Sequence, residues 1–553
     1  MQRTAAQTSP AGERAKDRKT WRRWAAVPAI VVTAAALFAV NLKLSGTSPM
    51  NSDSANVLLM GWDMLHGNPL LHGWYATDVS IYTTEVPQYA LLSRILGVHP
   101  ETTHVAAAMT YTLATLLAML LAKGGTSGRT ALVRMAITGG IMVVAPQLGA
   151  GVYALVMVVD HIGTSVPLLV IWLLLDRFDR SAPRWWVPVL TMILLTWVLI
   201  ADPIVLVMGV APLTLVSGIR FIQGVAAGRG AGWTQRIRAQ WYELALACSA
   251  AAAVPLALLA ERALRALGGI AVDPYVFGLK PWNEWRNDIL ALWRVVQLFG
   301  ADYRGLTGAA FAFAVLHLVS VALVCWAMLR VARRFLSGIP LVDQVLAVAI
   351  GMNVVLYAIS DVSIGGGAHE IAIIAPFGAA LAARALAGPA YRPGQRRPTV
   401  GVSASRLRLA GLAAGVLVLA GYLAGLGYEL TQPAAPPDNA TVASWLAAHH
   451  LTYGLAGYWQ ASSVTVDSGG EVVVRALPPH STQPYLWLAK ASWYDPASHW
   501  ANFIVIDNQT TRFATWLPLA AIEKDAGVPA RTYHTGPYTI MVWNKNLLAS
   551  LAG

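Results

Sequence analysis

Residues 24–44 read WAAVPAIVVTAAALFAVNLKL, and this stretch decides what kind of protein the chain is. Its one charge is Lys43. As a helix rising about 1.5 Å per residue it is about 30 Å long, the thickness of a bilayer's hydrocarbon core. Ten further apolar runs follow, near 103–122, 131–147, 152–175, 185–201, 203–221, 243–267, 306–329, 339–359, 367–388 and 409–428. Of the 553 residues 56% are apolar and 12% are charged, whereas a soluble domain is about 25% charged. A soluble enzyme, a disordered scaffold and a secreted disulfide module are excluded. The expectation is an α-helical polytopic membrane protein with about eleven spans. The first run is too long for a signal peptide and reads as an anchor. Cys248 and Cys325 lie inside apolar runs, read as packed thiols, and allow no disulfide framework.

The loops orient the chain. With the N-terminus in the cytoplasm, basic clusters fall on the inner side at 14–23, 123–134, 177–184, 220–238, 330–334 and 392–408, as the positive-inside bias requires. The net charge of +12 then needs no nucleic acid. The acids collect outside: Asp53, Asp63, Asp78, Glu85, Asp160, Asp202, Asp273, Glu284, Asp288, Asp302, Asp361 and Glu370. Two outer segments are long, 45–102 and 268–305, and long loops in compact proteins are more often functional. A cytoplasmic tail (1–23), a membrane domain (24–430) and a Pro-rich linker (431–438) precede a small extracytoplasmic α/β domain (439–553). That domain shows β-type runs at 463–466, 471–476, 502–506 and 538–543, helical patterns at about 440–450 and 518–525, and seven of the 21 tryptophans. Those tryptophans form a core, or stack on sugar faces.

The first outer loop is the most informative. If residues 53–66 are helical, Asp53, Asn56 and Asp63 share one stripe, and the apolar remainder faces the membrane surface. A second helix starts at Pro87 and ends near Leu96. Asp53 is either a helix N-cap or a chemical group. Asp160 is either a carboxylate set into a cavity, since such residues inside a membrane face a cavity or carry function, or a solvated residue at a helix break near Gly163. Asp202-Pro203 reads as a turn and cap, and Asp361 as a solvated acid. His369-Glu370, after three glycines, reads as a helix start or as a substrate contact.

Asp53-Ser-Ala, the Gly67-Asn68 turn and Glu85-Val-Pro-Gln-Tyr-Ala-Leu-Leu-Ser-Arg-Ile-Leu-Gly97 together resemble the GT-C superfamily of integral-membrane glycosyltransferases. The style is that of the protein mannosyltransferases and aminoarabinose transferases. Asp160-His-Ile-Gly-Thr-Ser-Val-Pro-Leu-Leu resembles the family's second outer acidic motif. The resemblance spans about 390 residues, roughly spans one to ten, and leaves 433–553 unmatched. It implies an enzyme that takes a sugar from a polyprenyl-phosphate donor and needs no nucleotide-sugar. The Arg-Tyr pair of many relatives is absent; at the comparable place stands His369, and Arg94, Arg286, Arg294 and Arg304 are the other outer basic groups.

Such chemistry needs a base for the acceptor hydroxyl and a group to neutralise the departing phosphate. Asp53 is the expected base and Asp160 its catalytic support. Asp63, Glu85, Arg94, Arg304, His369 and Glu370 are the candidate substrate-binding residues, with His369 and Arg304 facing the phosphate. Asp53 and Asp160 supply oxygen ligands for Mg²⁺ or Mn²⁺. The expected partners are the polyprenyl-linked sugar, membrane lipid and an extracytoplasmic glycan, lipid or protein acceptor, and the location is the plasma membrane. A transporter of a lipid-linked glycan and a non-catalytic scaffold are the rival readings. A transporter would carry acids along its spans, whereas here they stand at one rim.

Overall fold

The computed structural model describes residues 10–157, 159–179, 183–228, 232–274, 276–386, 402–479, 481–509 and 519–551, without the side chains of 10–26, 285–291, 365, 402–410, 412, 519–521 and 551. The side chains of the basic tail, Arg286 and Asp288 therefore lie outside the described residues, as do Trp516 and most of the 389–408 loop.

In chain order the first helices are α1 (Pro10–Ser45), α2 (Ser52–Leu65), α3 (Glu85–Leu96), α4 (Pro100–Lys123), α5 (Gly128–Val144) and α6 (His161–Phe178). Next come α7 (Trp186–Ala201), α8 (Ala211–Ala227), α9 (Trp241–Ala266), α10 (Asp288–Leu298) and α11 (Gly308–Arg333). The last of the bundle are α12 (Leu341–Ile359), α13 (Ile374–Leu386) and α14 (Val402–Leu430). Every expected span coincides with a helix, and eight helices among the described residues are long and apolar enough to cross a membrane. The other three are shorter: α5 has 17 residues, α7 16 and α13 13. Helix α13 is buried from Ile374 to Arg384, as a helix apolar on every side must be.

Three expectations are corrected. The fourth span does not run through 152–175: Tyr153–Met157 is a π-helical turn, and α6 begins only at His161. The tenth is broken at its start, with a 3₁₀ turn at Ala368–Ile371 before α13. Cys248 and Cys325 are exposed on the outsides of α9 and α11 and are not packed.

The first loop folds on itself. Ala55, Val57, Leu58 and Met60 of α2 pack with Val86 and Tyr89 of α3 and with Trp74, so most of the apolar surface of α2 is buried in the protein and does not lie on the membrane. Gly61 permits this approach, since a Cβ there would stand 2.6 Å from the backbone nitrogen of Ala90. The exposed apolar residues of this loop are Trp62 and Leu65 at the end of α2 and Leu91, Ile95 and Leu96 of α3.

After the bundle come α15 (Ala440–Ala448), α16 (Tyr458–Asp467) and α17 (Leu519–Ala526). The strands are β1 (Trp74–Ala76), β2 (Ala271–Val272), β3 (Tyr453–Gly457), β4 (Val473–Leu477), β5 (Ala489–Lys490), β6 (Phe503–Asp507), β7 (Arg531–Thr535) and β8 (Tyr538–Val542). The C-terminal region is a five-stranded sheet of order β4-β3-β6-β8-β7, parallel across its first three strands and antiparallel beyond. Residues 463–466 are helical, inside α16, where a strand was expected. The run Ser463-Val-Thr-Val466 has strand propensity, but Ala461 and Val464 are buried in the domain core while Val466 packs into the cluster around the first loop; tertiary packing overrides propensity. A second sheet, β2-β1-β5, joins both long loops to the C-terminal domain.

Helix α6 carries a charged group at each end. Asp160 precedes its first residue, while Asp176 near its other end pairs with Arg384 at 3.0 Å. Sixteen residues of helix separate the two by about 24 Å. Arg384 also pairs with Asp343, and Arg220 with Asp179 at 3.3 Å and Glu243 at 2.9 Å.

Candidate functional site

Asn51 caps α2, its Oδ1 accepting from the Ser54 amide at 2.9 Å. Asp53 is thereby released from capping. Its Oδ1 accepts a hydrogen bond from the Tyr458 hydroxyl and its Oδ2 one from Asn51 Nδ2 at 3.3 Å. The polar stripe expected on α2 is real, and the C-terminal domain sits on it. Asp53 meets Tyr458, Asn56 accepts from Ser462 Oγ at 2.5 Å, and Asp63 receives Lys490 Nζ at 3.0 Å.

The break before α6 positions the second group. Asp160 occupies the N-cap place but makes no side-chain capping bond. His161 Nδ1 lies 2.8 Å from Asp202 Oδ2, and Asp202 also accepts from Thr164 Oγ1 at 2.6 Å and from the Ile204 amide at 2.9 Å. Asp202 is thus both the expected turn residue and the group that orients His161. His161 Nε2 is 3.5 Å from Glu370, and His369 Nε2 is 3.3 Å from Glu370 and 3.8 Å from Asp160. Ligand atoms of Asp160, His369 and Glu370 lie within 4.8 Å of one another. His369 Nδ1 is buried without a partner. Two carboxylates and one imidazole, whose Nδ1 is orphaned, suit a divalent cation; a histidine in the set favours Mn²⁺ or Zn²⁺ over Mg²⁺. Asp53 stands outside this trio.

Burial raises the pKa of Asp53, opposed by the Tyr458 hydrogen bond and the charge of His369. Burial likewise raises Asp160, against the attraction of His161 and His369. Burial would raise Glu370 too, yet hydrogen bonds from both histidines hold it low. Burial would lower His369, but Glu370 and Asp160 keep it above the ordinary imidazole value. The site therefore holds compensated charge around a basic carboxylate.

Asp53, Asp160, His161, Asp202, His369 and Glu370 all line one cavity of about 620 Å³. Its apolar wall includes Leu206, Val207, Phe277 and Leu356, and the C-terminal domain adds Tyr458, Trp459, Tyr485 and Trp487. A polar rim beside an apolar wall suits an amphiphilic ligand.

The remaining sequence candidates fall elsewhere. Asp63 is held by Asn68 Nδ2 and Trp74 Nε1, each at 2.7 Å, as well as by Lys490, and ties the loop to β5. Glu85 is buried behind the cluster, hydrogen-bonded to Thr84 at 2.8 Å, and burial pushes its carboxyl up to about 8. Arg94 is exposed at the end of α3. Arg304 pairs with Asp302 at 3.1 Å and lies over Trp293. Arg294 comes nearer, beside Tyr357 of the cavity wall. Sequence reasoning missed Tyr458 and Tyr485 and underrated Asp202. Asp202 carried a signal, an acid at a span end, but nothing local in the sequence marks the two tyrosines.

No protein-family model matches the chain, and no curated protein is significantly similar to it. Among solved structures it resembles ArnT, the aminoarabinose transferase, from Cupriavidus metallidurans bound to undecaprenyl phosphate: TM-score 0.54 at 14% identity, over 96% of this chain and 99% of that one. It also resembles the Archaeoglobus fulgidus oligosaccharyltransferase in complex with Zn and sulfate, with TM-score 0.48 at 14% identity, over 93% of this chain and 73% of that one. The ArnT likeness covers both chains almost completely and shows that the two share a fold.

Proposed function

We propose that the protein is a GT-C glycosyltransferase that moves a sugar from a polyprenyl-phosphate donor to an acceptor hydroxyl outside the cytoplasm. The observation that carries this reading is the cavity, where Asp53 and the Asp160–His369–Glu370 trio face one space in a GT-C fold. The ArnT structure of that fold is bound to undecaprenyl phosphate. The buried, basic carboxylate of Asp53 takes the proton of the acceptor hydroxyl. The acceptor oxygen bonds to the anomeric carbon, the bond from that carbon to the phosphate oxygen breaks, and its electron pair leaves with polyprenyl monophosphate. His369 in the cavity lining and Arg294 beside its wall are the basic groups assigned to meet the departing phosphate. A divalent cation held by Asp160, His369 and Glu370 would neutralise negative charge in the same place. Asp202 keeps His161 oriented, and His161 in turn fixes Glu370.

The sidedness rests on charge. Arg134, Arg177, Arg220, Arg330, Arg333 and Arg334 share the end of the bundle that holds Asp176, so the positive-inside bias puts that end in the cytoplasm. The cavity and the C-terminal domain then face outward. The test uses the purified chain in nanodiscs with polyprenyl-phosphate mannose, glucose, arabinose or aminoarabinose, and cell-envelope extract as acceptor. One donor is expected to support transfer, and Asp53→Asn to lower the rate by about 10²–10⁴. A folded protein that cleaves no donor, or an Asp53→Asn variant as active as wild type, overturns the assignment.

A further inference from the structure

The C-terminal domain reaches the reacting carboxylate with aromatic rings. Trp487 is 40% exposed at the cavity mouth. Its ring is parallel to that of Tyr485, at 5° and 6.4 Å. Tyr485 meets Tyr458 edge to face at 5.7 Å, and the Tyr458 hydroxyl donates to Asp53. Trp459 packs against Tyr458 at 5.1 Å and lines the same space. The rings form a track that runs from solvent to the base.

Two features identify what lies on that track. Trp487, Tyr485 and Trp459 line the cavity although none of them is fully buried, so their faces are available, and an aromatic face complements the C–H face of a pyranose or furanose ring. Every described residue that the C-terminal domain gives to this wall is uncharged: Tyr458, Trp459, Pro479, Tyr485, Trp487 and Leu488. A phosphorylated or otherwise charged acceptor would find no compensating charge there.

We propose that the track is the acceptor subsite and that the acceptor is a neutral carbohydrate chain, laid along Trp487 and Tyr485 with its terminal hydroxyl at Asp53. This rests on the transferase reading above and names the acceptor class. The C-terminal domain thus completes the active site.

The test measures binding of mannopentaose, maltopentaose and an arabinan pentasaccharide to the full chain in nanodiscs by titration calorimetry. The variants are Trp487→Ala and the control Trp500→Ala, an exposed tryptophan outside the cavity. Release of sugar from the donor to water is measured separately. At least one pentasaccharide is expected to bind, with affinity about tenfold weaker in Trp487→Ala and unchanged in Trp500→Ala. Transfer to the oligosaccharide is expected to fall in Trp487→Ala and to be unchanged in Trp500→Ala. No binding of any neutral oligosaccharide at millimolar concentration, or binding indifferent to Trp487→Ala, overturns the subsite even if donor cleavage is intact. Binding that depends on Trp487 without any donor cleavage upholds the subsite and removes the transferase reading instead.

Discussion

At the scale of single residues, the hydrogen bond from Tyr458 to Asp53 sets how well the carboxylate would serve as the proposed base. Burial alone would keep Asp53 protonated to higher pH; the phenolic hydroxyl stabilises the anion and opposes this. In Tyr458→Phe that support is gone, so the pKa of Asp53 rises further. A base works only when deprotonated, so the acid limb of the pH–rate profile is expected to move to higher pH. The rate at the alkaline plateau should change less than the rate at neutral pH. A profile of unchanged shape would mean that Tyr458 is structural only. Asn51 makes the local arrangement possible: by capping α2 itself it leaves Asp53 free to face the cavity.

At the scale of elements, α3 enters the bundle by placing Glu85 against the first turn of α6. Gly163 is required there, because a Cβ would come within 1.9 Å of the Glu85 carboxylate. Burial raises Glu85 to about 8 from an ordinary 4.5. Below pH 4.5 both folded and unfolded chains hold the proton and folding suffers no penalty. Between 4.5 and 8 the unfolded chain releases it and the folded chain does not, so stability falls as pH rises, by about 1.4 kcal/mol per pH unit. Glu85→Gln is expected to remove this slope and to raise the melting temperature at pH 7 relative to wild type. Thermal unfolding in detergent across pH 5–8 checks it. At the other end of α6 the buried Arg384–Asp176 pair ties α13 to α6, and there removing one partner would leave an uncompensated charge, a loss of about 3–5 kcal/mol.

At the scale of the whole molecule, the site is assembled from five distant parts of the chain: Asp53 in the first loop, Asp160 before α6, Asp202 after α7, His369-Glu370 before α13, and the aromatic wall beyond residue 457. The sheet β2-β1-β5 and the Asp63–Lys490 ion pair hold these parts in register. If the trio binds a cation, chelator-treated protein should gain thermal stability on adding Mn²⁺, by about 2.7 kcal/mol at a hundredfold excess over Kd. His369→Ala should lose that response while keeping its unliganded melting temperature within a few degrees. An equal Mn²⁺ response in His369→Ala would place the cation elsewhere.

The sequence by itself determined the membrane class, the places of the spans and the rim of acids at one end, because transfer from water to hydrocarbon acts on each run of residues separately. It also located Asp53, Asp160, His369 and Glu370, each by its position at the end of an apolar run. It misread 463–466 as a strand and the approach to α6 as a continuous span, since propensity yields to packing and to breaks that no local pattern announces. Only the tertiary structure decided that Asp63 is a tether, that Glu85 stands behind the cluster, and that Asp202 orients His161. Tyr458 lies 405 residues from the carboxylate it serves. Contacts of that span arise from how helices and sheet pack, and an apolar pattern read along the chain carries no record of them.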